Sequence, residues 1–337
     1  MARQRLLPFA CLAAALLLPF LFAAAGLDWV TGIATRVLIF ALAGVSLNLI
    51  LGYGGMVSFG HAAFFGTGAY VVGILSQHAA YGEPLISWPL ELAGTDSALI
   101  AWPAAMLAAG LLALIVGALS LRTSGLYFIM ITLAFAQMVY FFFVSLETYG
   151  GDDGLSMWAR SSAGPLDLDD DRQFYFLVLL LLAGVLFLKG RLIEARFGRV
   201  LQGIRDNERR MQALGFPTLR YKLVAFTISG ALAGLAGALI ANQTEFVSPA
   251  FLDWPRSGEI IVIVVLGGMG RLYGPVAGAA VFLLLEELLS AWTEHWMIIL
   301  GPILVLVVLY ARQGVWGALQ PLFARRRRTA PPGTADG

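Results

Sequence analysis

The chain has 337 residues, of which 59% are hydrophobic and 13% charged, with a mean hydropathy of +0.81 and a net charge of +1. A soluble domain carries about 25% charged residues, so this composition excludes a water-soluble globule and makes lipid the bulk solvent. The single cysteine, Cys11, excludes an internal disulfide, and His61, His78 and His295 lie too far apart for a paired metal-binding helix.

Apolar stretches run from 6 to 26, 33 to 51, 60 to 78, 98 to 119, 124 to 145, 174 to 189, 221 to 242, 257 to 269, 275 to 291 and 296 to 311. They predict an all-α polytopic membrane bundle of about ten transmembrane segments with glycine-rich helix breaks. The first stretch follows Arg3 and Arg5 and resembles a signal peptide, with Ala23, Ala24 and Ala25 near its end. Its apolar run of about 20 residues is long enough to span, so it reads as an uncleaved first helix. Glycine and proline punctuate the seventh to ninth stretches, and the eighth is short enough for a re-entrant segment.

Charge orients the bundle. The connection from Lys189 to Lys222 holds Arg191, Arg196, Arg199, Arg205, Arg209, Arg210 and Arg220 against only Glu194, Asp206 and Glu208, so it is expected in the cytoplasm. The connection from Leu146 to Arg172 is the opposite, with Glu147, Asp152, Asp153, Asp167, Asp169, Asp170 and Asp171 against Arg160 and Arg172. The 79–97 loop carries Glu83, Glu91 and Asp96 and no basic residue. Both loops are expected in the periplasm. Alternating spans then place both termini in the cytoplasm of a bacterial inner membrane. One permease domain covers 1–320, with its cytoplasmic loop at about 190–220, and 321–337 forms a basic, disordered cytoplasmic tail. The Arg325 to Arg328 run reads as an anchor at anionic lipid, in preference to a nucleic-acid site.

Three features carry functional expectations. The first is the glycine-rich run Gly52 to His61 between the second and third stretches, with Gly54, Gly55, Ser58 and His61 in it. Such backbone cannot face lipid cheaply and belongs against protein or a polar path. Its counterpart runs from Gly267 and Gly268 to Pro275. Both interrupt apolar segments, as at midplane substrate routes in transporters with internal repeats. Close helix packing is the competing explanation, since Gly230/Gly234 and Gly274/Gly278 have GxxxG spacing.

The second feature is the cytoplasmic loop, where Val200, Leu201, Ile204, Met211 and Leu214 recur at helical spacing among Arg205, Asp206, Asn207, Glu208, Arg209 and Arg210. This is one short amphipathic helix or two. Asp206 or Asn207 supplies a cap, and Gly215 followed by Pro217 supplies the stop. It suits either a membrane-surface helix or a helix docked into a cytoplasmic partner. The third feature is a set of ionisable or amide residues inside spans, among them Asn48, Gln137, Asn242, Glu286 and Glu287, which are expected to face the bundle interior or an interface.

Other classes fit less well. Ser58 and His61 lack a GxSxG elbow and an orienting carboxylate, which argues against a hydrolase. A phosphate-cradling loop needs glycine before its lysine, whereas Lys189 and Lys222 follow Leu188 and Tyr221. No cofactor of its own is expected. An ion-coupled secondary transporter remains the rival from another class, since broken segments and Glu286/Glu287 suit one.

Taken together, Leu47-Asn48-Leu49, Gly52 to Tyr70, Leu121 to Phe135, Gly150 to Leu155, Arg196 to Phe216, Tyr221 to Leu239 and Val264 to Ala279 resemble, in order, the LivM-type permeases of branched-chain amino acid ABC importers. The resemblance runs from about residue 35 to 312. It implies a partner LivH-type permease, two cytoplasmic ABC ATPase subunits that bind the ATP, and a periplasmic solute-binding protein that delivers a small-molecule solute. It also implies that the 200–215 loop is the helix that couples to the ATPase, with Ile204, Arg205, Asp206, Glu208, Leu214 and Gly215 in it; Asn48 and the two glycine runs are expected near the route on their own chemistry. The family often has small residues where Arg209, Arg210 and Met211 follow Glu208, which bears on which ATPase docks. Permeases of this type also resemble subunits that import urea or short amides.

Overall fold

The computed structural model describes residues 15–20, 22, 26, 29–82, 84–86, 92–164, 167–293, 295–310 and 314–317. Most of the expected first span and the whole basic tail therefore lie outside the described residues.

Helix α1 (Trp29–Asn48) continues into a π-helical turn, Leu49–Tyr53. It is followed by α2 (His61–Tyr81), α3 (Ala98–Ser120), α4 (Leu126–Val144) and α5 (Asp171–Glu194). Two short helices, α6 (Arg196–Asp206) and α7 (Glu208–Ala213), lead to α8 (Thr218–Thr244). The chain then forms α9 (Trp254–Gly267), α10 (Gly274–Ser290) and α11 (Trp296–Tyr310). Among the described residues five helices are long and apolar enough to cross a membrane: α1 with its π turn, α3, α4, α5 and α8. The expected stretches from 33–51 onward each fall on a described helix. Only those five have the length and apolarity of a span, and the expected eighth stretch is α9, a 14-residue helix.

These helices sort into an inner and an outer set. Most of α1 and α8 is buried, whereas α4 and α5 keep most of their surface open. The inner set can close up because its contact points are glycine and alanine, as membrane helices require when packing rather than hydrophobicity drives association. A Cβ at Gly237 would collide with the backbone of Phe65 on α2, and one at Gly230 or Gly234 with Ala113 or Ala109 on α3. The GxxxG spacing in α8 thus serves packing. So does the pair Gly274/Gly278, which lies against Gly267 and Ile263.

The two ends of the bundle differ in charge. At the acidic end, strand β1 (Leu155–Ser156) pairs antiparallel with β2 (Phe246–Val247), and Asn242 Oδ1 accepts from Ser161 N at 2.7 Å. Asp169 to Arg172 lie there beside Thr31 of α1. At the opposite, basic end lie α6 and α7 together with both glycine runs.

Candidate functional site

The site is built at the basic end from α6 upward. Asn207 caps α7 by accepting from Arg210 N at 2.9 Å, and Gly215, in the left-handed region at φ 85°, ends it. The loop is therefore two helices with the expected cap and stop. Its apolar residues divide between two faces. Leu201 and Ile204 are buried in this chain's own bundle, and Met211 is buried beside Gly203. Leu214, by contrast, is 66% exposed, next to exposed Phe216 and Leu219. The surface open to a partner is thus the tip, with Arg209, Arg210, Leu214 and Phe216, rather than the Ile204 face. Lys222 Nζ lies 2.6 Å from Glu208 Oε1 and ties α7 to α8.

Arg205 links this pair of helices to the first glycine run. Its Nη1 donates to Gly52 O at 2.7 Å, while Nε and Nη2 donate to Asp206 Oδ1 at 3.3 and 3.2 Å. The last carbonyls of a helix lack intrahelical donors, and the guanidinium supplies one here. Glycine is required beside it: Gly55 has φ 68°, and a Cβ there would lie 2.7 Å from Arg205 Cγ.

Asn48 joins the two runs. Fully buried, it accepts from Gly270 N at 2.9 Å through Oδ1 and donates to Arg271 O at 2.8 Å through Nδ2. A Cβ at Gly52 would collide with Asn48 Oδ1 and with Gly270 N. Gly267 and Gly268 end α9, with Gly268 N bonded to Val264 O at 3.0 Å and Gly268 at φ 109°. Residues separated by more than 200 positions thus form one joint.

Beyond the π turn the backbone runs inward without helix. Phe59 N donates to Thr132 Oγ1 of α4 at 3.3 Å, Gly60 N to Ser58 Oγ at 3.2 Å and Ala62 N to Ser257 Oγ of α9 at 2.8 Å. Such hydroxyls satisfy irregular backbone where water and lipid cannot. His61 lies level with Ser46, seven residues before the end of the π turn, so α2 begins roughly 10 Å inside the bundle at 1.5 Å per residue. His61 Nε2 is 2.8 Å from Ser46 Oγ. That hydroxyl donates its proton to Ala43 O at 2.6 Å, so Nε2 is the donor to it. Ser58 and His61 are both fully buried, as are Gly54, Gly267 and Gly268. The open positions of the first run are Gly55 and, partly, Val57 and Phe59, every second residue as in extended chain.

Sequence reasoning named Glu286 but missed its partner and the second ion pair at the acidic side of the same helices. Arg36 of α1 pairs with Glu286 of α10 at 3.1 Å, and Arg256 pairs with Glu259 on α9 at 2.5 Å. The signal was available, since Arg36 and Glu259 stand inside predicted spans. Gln137, which was expected to face inward, donates to Asp253 Oδ1 at 2.8 Å. Among the described residues no cluster of three or more His, Cys, Asp or Glu side chains could hold a metal ion.

Residues 29–308 match the family described as branched-chain amino acid transport system / permease component. The chain is 31% identical over 344 residues, 95% of its length and 76% of the relative's, to the high-affinity branched-chain amino acid transport system permease protein LivM of Salmonella typhimurium, with the same identity and coverage to LivM of Escherichia coli. It is also 27% identical over 145 residues, 40% of its length and 43% of the relative's, to a probable LivH permease of Methanocaldococcus jannaschii. No solved structure matches. The chain belongs to this permease family and is a multi-pass membrane protein.

Proposed function

We propose that this chain is the LivM-type permease subunit of an ABC importer that moves branched-chain amino acids into the cytoplasm of a bacterium. It crosses the inner membrane ten times, with both termini and the 190–220 loop cytoplasmic and the β1–β2 end periplasmic. Residues 1–320 are one permease domain, and the 321–337 tail anchors at the inner leaflet. A LivH-type permease completes the route, a periplasmic binding protein delivers the solute, and two ATPase subunits bind the ATP.

The observation that carries this reading is the continuous contact from α6 through Arg205 to Gly52, and from Asn48 to Gly270 and Arg271. A partner that grips the α7 tip and moves it displaces the end of α1 and the first glycine run against the second, to which Asn48 holds them. The Gly55, Val57 and Phe59 edge then faces the route, with Asn48, Gly54, Ser58, His61, Gly267 and Gly268 behind it as its support. Coupling falls to Arg205, Asp206, Glu208, Leu214 and Gly215, with Ile204 holding α6 to the bundle.

Leu214→Asp with Phe216→Asp tests the docking. Charges placed in an apolar groove without partners are costly, so the variant is expected to insert and to pair with the second permease but to lose the ATPase subunits and uptake. Co-purification with a full complement of ATPase at undiminished leucine uptake would overturn the coupling assignment. Uptake driven by an ion gradient with no ATPase present would overturn the importer reading altogether.

A further inference from the structure

The four charges at the periplasmic side form a second site. Arg36 lies five residues beyond Thr31, which borders Asp169 to Arg172 at the bundle end, so it stands roughly 8 Å inward at 1.5 Å per residue. The Arg36 and Glu286 side chains are 39% and 20% exposed, and those of Arg256 and Glu259 19% and 37%. Glu259 lies within electrostatic reach of Arg36 and Glu286 as well as of Arg256, so the two pairs are one quartet. Charges at this depth cannot face hydrocarbon without large cost and mark a polar path or a covered surface.

The chemistry of the quartet is specific. It holds two guanidiniums and two carboxylates, so it is neutral overall and has strong partners for both signs. It also has unused capacity. Each guanidinium has five N–H donors, and among the described residues Arg36 spends only Nη2 on Glu286 and Arg256 only Nη1 on Glu259. Beneath it lies an aromatic floor: the Phe40 ring centre is 5.8 Å from Arg36 Cζ and 5.5 Å from Arg256 Cζ, and the Phe251 ring centre is 5.6 Å from Arg256 Cζ.

We infer that this quartet is an entry station for the head group of a zwitterionic amino acid: Arg36 and Arg256, held over the buried Phe40 ring, take its carboxylate, Glu259 and Glu286 its ammonium, and the half-buried Phe251 its aliphatic side chain. The inference rests on the functional reading above and adds a binding site to it. α1, α9 and α10, which carry the quartet, are the helices whose other ends meet at Asn48 and Gly270. Solute arriving from the periplasm therefore meets the charged end of the seam before the glycine joint.

The test uses the complete assembly, purified in detergent without the binding protein, and a photoreactive diazirine analogue of leucine at high concentration. Label is expected on the peptides containing Arg36 and Phe251, displaced by leucine and not by 4-methylpentanoate or isoamylamine, each of which lacks one half of the head group. Arg36→Gln combined with Glu286→Gln removes one ion pair without leaving a lone charge. It is expected to lower that label, per assembled complex, at least about tenfold, because charge-assisted hydrogen bonds are lost. Arg256→Gln with Glu259→Gln is the second variant, used if the first fails to assemble, and the same loss is expected. Undiminished label in an assembled variant overturns the inference, as does label confined to other helices. Loss of the partner permease on co-purification from both variants would make the quartet a subunit contact and overturn it too. If the wild-type assembly does not carry leucine in vesicles, the functional reading fails and the station with it. If it carries leucine but the Arg36 and Phe251 peptides stay unlabelled, only the station fails.

Discussion

The runs 54–60 and 268–273 each end one helix and start another, yet they do different work. The first carries non-helical backbone roughly 10 Å into the bundle, and hydroxyls from three different segments, Ser58, Thr132 and Ser257, satisfy its amides. The second is a tight turn at the bundle end, with Gly268 buried and only Met269 exposed. A Cβ at Gly267 would collide with Gly274, so α9 and α10 return against each other at once. Glycine serves entry of irregular backbone in one case and close approach of two helices in the other. What separates them is the polar side chains around them, and these come from elsewhere in the chain. On the coupling proposed above, Arg205 makes the first run the moving part, and the second is the support against which Asn48 holds it.

The largest effect is expected where the two runs touch. In Gly52→Val the new side chain would drive into Asn48 and the Gly270 backbone, and no neighbour there is a flexible chain end. We expect a destabilisation of about 3 kcal/mol or more, as for severe overpacking, read as failure to recover the assembly or as a large fall in its melting temperature. Recovery at the wild-type level would separate the two runs and remove the joint from the account.

Arg205→Met is next and acts on the first run alone. It removes the charged donor from Gly52 O while keeping the aliphatic stem over Gly55. Hydrogen bonds from charged groups are worth about 1.5–3 kcal/mol, so leucine uptake per assembled complex is expected to fall at least about tenfold, with the ATPase subunits still bound. Unchanged uptake would make the contact a mere cap.

Ser257→Ala is smaller. It strips the acceptor from Ala62 N at the buried start of α2, and losing one such cap costs about 1 kcal/mol. The melting temperature should drop by a few degrees, and uptake with it. A Ser257→Ala variant indistinguishable from wild type in both would show that α2 does not depend on α9 for its inner end.

Much of this arrangement was legible in the sequence, and for stated reasons. Apolar runs marked the helices because lipid demands them, charge segregation separated the two ends, and Asn207, Gly215 and Pro217 marked the turns of α6 and α7. What stayed hidden depends on which residues meet. Arg36 with Glu286, Asn48 with Gly270 and Ala62 with Ser257 are separated by 250, 222 and 195 positions, and no local pattern pairs them. The division of the amphipathic loop into a buried Leu201 and Ile204 face and an open Leu214 tip was hidden for the same reason: periodicity shows that a face is apolar but not what covers it.

The smallest expected effect on uptake bears most directly on the contrast. Gly270 sits at φ 72°, and a Cβ there would lie 3.1 Å from Gly52 O and 3.6 Å from Arg205 Nη1, close but open enough for a modest side chain. Backbone strain then sets the outcome, at about 1–2 kcal/mol for an ordinary residue in the left-handed region and less for asparagine, whose side chain tolerates it. Gly270→Ala should therefore lower the melting temperature, and Gly270→Asn should lower it less. If the second run is a fixed support, leucine uptake per assembled complex should stay within about twofold of wild type in the asparagine variant, since strain that is the same in every state of the cycle shifts no equilibrium between them. If uptake instead drops in the asparagine variant while its melting temperature holds, Gly270 changes conformation during transport. The second run would then be a moving part like the first.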